Sequence, residues 1–190
     1  KLKQTHYLFA LIALTFGLIF VSITPPLWGT DETSHFARVY HIAHGDILPA
    51  NSKKEASMLL PKNLVDLNNY AIGDLVDNKP GANGAVLHAR QDLDNEAAYT
   101  TRTGEKFSTE QVKNSFTAAY APVAYVGPVI GTVLADIFNL TIGNTLLFAR
   151  IGSLLVYVCL VFLALRLLRN MKARWLIFVI ALFPISIFQA

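Results

Sequence analysis

The run Tyr7–Thr24 holds eighteen residues without a charge, and it limits the folds open to this chain more than any other feature. As a helix rising 1.5 Å per residue it reaches roughly 27 Å, about the thickness of a bilayer's hydrocarbon core. A cleaved signal peptide is the competing reading, but its apolar core is usually shorter and an A-x-A-like cleavage site should follow. Pro25-Pro26-Leu27-Trp28 follows instead. Proline ends a helix and tryptophan suits the headgroup level, so the run is read as a retained transmembrane helix over 7–24.

The chain is 53% hydrophobic, high for a soluble domain, and its formal net charge of +3 conceals a segregation. Twelve of the thirteen acidic residues lie between residues 25 and 119, with nine of the sixteen Lys and Arg, which leaves that segment at −3. The other bases are Lys1, Lys3, Arg150, Arg166, Arg169, Lys172 and Arg174. Most of them flank apolar runs, the signature of cytoplasmic loops rather than of a nucleic-acid patch. The single cysteine, Cys159, lies inside an apolar run, which excludes an intrachain disulfide framework and points to packing. The chain begins without Met and stops within an apolar run, so it reads as the N-terminal piece of a larger membrane protein.

Three further apolar stretches need a topology: Tyr120–Leu140, Thr145–Leu168 and the run from Trp175. If all four stretches crossed with Lys1 and Lys3 inside, the basic loop Arg166–Arg174 would end outside, against the positive-inside rule. Pro122, Gly127, Pro128 and Gly131 break the second stretch. An interfacial or re-entrant element over 120–140 is therefore preferred. It is followed by a second span over 145–168 and the start of a third over 175–190. The N-terminus is then cytoplasmic, and residues 25–119 form one extracytoplasmic loop in a multi-pass protein of the cell membrane.

That loop opens on Thr30-Asp31-Glu32-Thr33-Ser34-His35-Phe36-Ala37-Arg38. Thr30 is a good N-cap, Asp31 and Glu32 suit a first turn, and Gly45 fits the position just past a helix end. Phe36, Val39, Tyr40 and Ala43 recur at helical spacing, which predicts an amphipathic helix over 30–44 lying along the membrane. The middle of the loop, 49–95, is polar. Leu59–Asn69 reads as a short helix, Lys79–Gly84 as a turn, Tyr99–Phe107 as a small hairpin, and Ser108 with Gln111 as a capping box.

Asp31 and His35 stand four residues apart, on one helix face, with Arg38 one turn further along it. A carboxylate, an imidazole and a guanidinium in line could bind a divalent metal, take a proton or clamp a phosphate. The plainer reading is capping, since acids in a first turn oppose the positive end of the helix dipole. His41, off that face, and His44, at the helix end, read as structural. Tyr120 and Tyr125 read as interface anchors or as one wall of a lipid-substrate groove. Arg150 would snorkel, or pair with a lipid phosphate or a carboxylate, Asp136 among them. Asn139-Leu140-Thr141 is a weak glycosylation sequon.

Pro25–Arg38 resembles the P-P-…-P-D-E-x-x-H-F-x-R signature of a bacterial multispanning family known only as domain of unknown function 2142, with Thr30 where that family often has proline. Tyr120–Pro128, Ala149-Arg150 and Phe183–Ala190 look like its later segments; the loop middle is not covered. The architecture is similar to the GT-C glycosyltransferases, polytopic helical bundles that take a sugar from a polyprenyl-phosphate carrier on the outer face. The resemblance implies an all-α transmembrane fold, and an enzyme of cell-surface glycan assembly with a glycan or lipid acceptor. By the same resemblance, Asp31 would deprotonate the acceptor hydroxyl. Glu32 or His35 would orient it, or, with Asp31, hold a Mg or Mn ion. His35, Arg38, Tyr120, Tyr125 and Arg150 would bind substrate, the two arginines at the carrier phosphate. The alternative is a non-enzymatic membrane protein, an exporter, scaffold or sensor with a ligand-binding outer loop. The partners expected of the chain are membrane lipids, the polyprenyl-phosphate sugar donor and a glycan or lipid acceptor, with no nucleic acid.

Overall fold

A computed structural model describes residues 4–29, 31–47, 58–67, 100–114, 121–168 and 170–183. Lys1, Lys3, Thr30, Tyr120, Arg169, the turn Lys79–Gly84, most of the polar middle 49–95 and the end 184–190 lie outside the described residues. The described part is mostly helical. Its elements are α1 (Thr5–Ile23), α2 (Glu32–Ala43), β1 (Met58–Pro61), β2 (Gln111–Asn114), α3 (Val126–Ile137, led in by a 3-10 turn at Pro122–Tyr125), α4 (Ile142–Leu167) and α5 (Met171–Ala181).

α1 and α4 are long and apolar enough to cross a membrane. Only 17% of the α1 stretch and 22% of the α4 stretch that would sit in a bilayer is buried, whereas a core helix of a soluble domain would be covered. The two helices run antiparallel. His6 meets Phe162, Phe9 meets Tyr157, Gly17 meets Leu154, and the last carbonyls of α1 meet Arg150. The N-terminal end of α1 and the turn from α4 to α5 therefore lie at the same end. α5 folds back on this pair, with Phe178 against Phe9 and the Tyr157 hydroxyl donating to Ala181 O (2.7 Å).

Because α4 has 26 residues and α1 only 19, the first turns of α4 extend past the end of α1. α3 packs antiparallel on that extension through glycines. A Cβ at Gly131 would lie 2.0 Å from Phe148 O, and one at Gly127 would lie 2.7 Å from Gly152 O. Backbones this close are the small-xxx-small mode of helix pairing. α3 ends in a Schellman turn, with Asn139 left-handed (φ 51) and Leu140 N donating to Ala135 O.

α2 lies over α3 and the sheet. Phe36, Val39 and Tyr40 are buried with Leu60, Leu64, Leu67, Tyr125, Ile142, Leu146 and Ala149. The apolar face expected to lie on the membrane is thus turned to protein, a correction that follows from α3, α4 and the sheet supplying a closer apolar partner. The expected start at Thr30 moves to Glu32, because Asp31, in the cap position, has left-handed backbone (φ 56) and cannot continue a helix. The far end is as expected. Gly45 (φ 99) sits past the last turn, with Asp46 N donating to His41 O.

β1 and β2 pair antiparallel, Met58 with Asn114 and Pro61 with Gln111. Residues 62–67 continue from β1 as a helical turn. The hairpin expected around Thr103-Gly104 is instead a helical turn at 100–103, and the expected helix after Ser108 is strand β2. The Ser108 hydroxyl accepts from Glu110 N (3.1 Å) rather than opening a helix. The second difference has a clear cause, since the partner of β2 lies some fifty residues earlier and no local pattern reveals it. Glu105 O accepts from Ile142 N (2.8 Å), which ties this segment to the start of α4.

Candidate functional site

α1 ends at Pro25-Pro26, where no N–H is available to continue the ladder, and its last carbonyls are left unpaired by the helix itself. Arg150, two turns into α4, takes them. Its Nη1 donates to Thr24 O (2.5 Å) and Val21 O (3.5 Å), and its Nη2 donates to Pro25 O (2.8 Å). The same guanidinium grips Glu32 in fork geometry, Nε to Oε1 (2.5 Å) and Nη2 to Oε2 (2.6 Å). The two side chains are 16% and 15% exposed. Glu32 Oε2 also accepts from Gly29 N (3.1 Å). All five donors of Arg150 are engaged within the chain. The pairing of Arg150 with Asp136 weighed from sequence does not form, since Arg150 takes Glu32.

Beside this latch stands Asp31. It occupies the N-cap position of α2, yet its side chain makes no capping bond. It is exposed, and among the described residues its carboxylate has no hydrogen bond or ion pair. Its backbone is left-handed, as is that of Leu27 (φ 62), which is 1% exposed in the same connection. Such backbone in non-glycine residues is disfavoured and persists only where neighbours over-determine it.

One turn on, His35 Nδ1 is hydrogen-bonded to the Tyr125 hydroxyl (2.8 Å), which joins α2 to the foot of α3. Tyr125 is buried. Arg38 departs from the line expected with Asp31 and His35. It is wholly buried and donates to Asp46 O (3.2 Å) and Ile47 O (2.7 Å), with His41 Nδ1 at 3.5 Å and its own Nε without a hydrogen bond among the described residues. It holds the exit of α2 near the negative end of the helix dipole. Among the described residues no three His, Cys, Asp or Glu come together to hold a metal, and Asp31 with His35 would supply two ligands at most.

A second polar group closes the other end of α2. His41 Nε2 meets Asp46 (3.1 Å), and burial lowers the His41 pKa against the opposing pull of Asp46. His44 stacks on Tyr40 and approaches Asp136 of α3 (3.8 Å). Burial pushes the Tyr40 hydroxyl up to about 12, helped by the Asp136 charge, and it also raises the Asp136 carboxyl.

Of the residues expected at the site, the structure gathers Asp31, Glu32 and Arg150 at the end of α1, with His35 and Tyr125 one turn away. Arg38 is turned to the opposite end of α2, and Tyr120 lies outside the described residues. The Glu32–Arg150 partnership was open rather than assigned in the sequence. Its signal is that each residue sits at the same depth beside the end of α1.

Over residues 14–190 the chain matches the family described as Predicted membrane protein (DUF2142), and it belongs to that family. No curated protein and no solved structure matches it.

Proposed function

We propose that this chain is part of a membrane glycosyltransferase of GT-C type, one that uses a polyprenyl-phosphate-linked sugar on the outer face in cell-surface glycan assembly or modification. The observation that carries the reading is Asp31. Capping does not account for it, because its carboxylate caps nothing. It is an exposed base candidate in disfavoured backbone at the end of a helix able to cross a membrane. Phosphate is a good leaving group, so transfer from such a donor asks for a positioned base near the outer leaflet.

In this reading Asp31 deprotonates the acceptor hydroxyl, Glu32 orients it, and His35 with Tyr125 forms the adjoining wall. Arg38 and Arg150 are engaged inside the chain, so neither offers a free cation to the carrier phosphate. Asp31 and His35 would give a divalent ion two ligands at most among the described residues, too few to hold it on their own, so Asp31 acts as a free base. The antiparallel course of α1 and α4 supports the topology in which α3 does not cross. It puts Arg166, Lys172 and Arg174 at the same end as the start of α1, which the positive-inside rule makes cytoplasmic.

The internal engagement of Glu32, Arg38 and Arg150 favours a second reading, in which the cluster only shapes a non-enzymatic outer loop. Purified full-length protein supplied with polyprenyl-phosphate sugars separates the two. Wild type should transfer sugar and Asp31→Asn should lose transfer; equal transfer by both would remove the catalytic reading.

A further inference from the structure

Arg150 is engaged on both sides of the connection that carries Asp31, and we infer that it is a positioning residue for that carboxylate rather than a cation for the carrier phosphate. The inference rests on the reading of Asp31 as the base. Three carbonyls at the end of α1 and the carboxylate opening α2 converge on one guanidinium. That convergence sets the spacing between the two helix ends, and between them lie two non-glycine residues with left-handed backbone, Leu27 and Asp31. Leu27 is held by burial; Asp31 is exposed, so its backbone is held from its neighbours. Glu32, the next residue, is the one Arg150 grips. Releasing Glu32 lets Asp31 relax toward ordinary backbone and swings its carboxylate away.

The task needs arginine in particular. A planar fork can hold a carboxylate edge-on while its remaining donors reach carbonyls, and a lysine ammonium is a point charge that cannot do both. Because Arg150 belongs to α4, it also couples the packing of α1 on α4 to the placement of Asp31.

Two measurements on the full-length protein in nanodiscs test this. In the transfer assay, Arg150→Gln should lower kcat about a hundredfold, the loss expected from misplacing a reacting group by about 1 Å, with donor KM within about twofold. In an Asp31→Asn background the same change should cost nothing further. Arg150→Lys, which keeps the charge without the fork, should fall between wild type and Arg150→Gln in kcat. A raised donor KM with kcat kept, or losses that multiply in the double variant, would overturn the inference in favour of phosphate binding. The second measurement is amide hydrogen exchange, which needs no activity. Arg150→Gln should speed exchange about tenfold or more at residues 31–35 while the later turns of α2 hold. If Asp31→Asn transfers sugar like wild type, the base reading fails by itself and the exchange result decides the latch. Faster exchange upholds it, and unchanged exchange overturns it.

Discussion

Replacing Gly131 by alanine probes the contact that sets α3 on α4, and so brings Tyr125 to His35. An added Cβ would stand 2.0 Å from Phe148 O, 2.5 Å from Phe148 C and 2.9 Å from Ala149 Cα. All three are backbone atoms that cannot rotate aside. Cβ atoms essentially never approach closer than 3.0 Å, so the helices must part by about 1 Å. Overpacking of this kind costs about 1–3 kcal/mol, and backbone obstruction puts it at the upper end. A gap of that width also forfeits about a quarter to a half of the dispersion energy between the facing surfaces. Against this, alanine is better than glycine inside a helix by about 1 kcal/mol. The net loss is then about 2 kcal/mol, a fall in apparent Tm of about 5 °C or more. Purified full-length protein would be compared by thermal unfolding with Gly104→Ala, where the nearest atoms are backbone oxygens at 3.3 Å that need give by only a few tenths of an ångström, so a clearly smaller change is expected. A Gly131→Ala variant as stable as wild type, or more stable, would show only the propensity gain and would refute the close packing.

Three further outcomes follow from the same geometry. Asp31→Gly should stabilise the protein by about 1 kcal/mol in denaturant unfolding, because glycine accepts left-handed backbone and no capping bond is lost, while abolishing transfer. Destabilisation instead would mean that Asp31 is a working cap. Lys172→Cys should resist a membrane-impermeant thiol reagent applied to intact cells, since its turn lies at the end of the bundle assigned to the cytoplasm; strong labelling would invert the topology. Burial holds the His41 pKa below its usual 6.5, so the fold favours neutral His41. Its contribution is intact above that value and is lost as pH falls from 6.5 toward the lowered folded pKa. Exchange at the end of α2 should quicken over that window, and His41→Gln should flatten the response. Asp136 acts with the opposite sign, because burial raises its carboxyl and stability is gained as pH falls through that raised pKa toward the usual 3.8.

Much of the helical framework was legible in the sequence because helix signals are local. The uncharged run, Pro25-Pro26 and Gly45 each act within a turn of their own position, and α1 and the end of α2 stand where those residues put them. What was not legible depends on partners distant in the chain. Strand β2 looked like a helix start because its pairing with β1 is invisible locally. The amphipathic face of α2 looked like a membrane face because periodicity reports that a face is apolar, not what covers it. At the site, spacing put Arg38 in line with Asp31 and His35, but a long side chain reaches along the helix, and the open carbonyls of Asp46 and Ile47 drew it there. Arg150 was visible as a cation in need of a partner. That the partner is Glu32 follows from the antiparallel register of α1 and α4, which no single stretch of sequence carries.

The central claim is that one ion pair between α2 and α4 fastens the end of α1 and presents Asp31. A double-mutant cycle on stability, with Glu32→Gln, Arg150→Gln and the double variant in the full-length protein, tests it most directly. Each single variant should be destabilised, since it strands the charge or carbonyls left behind. The double variant should be far less impaired than the sum, with a coupling energy of about 2 kcal/mol. Additive losses, with coupling near zero, would contradict the latch and with it the placement of Asp31.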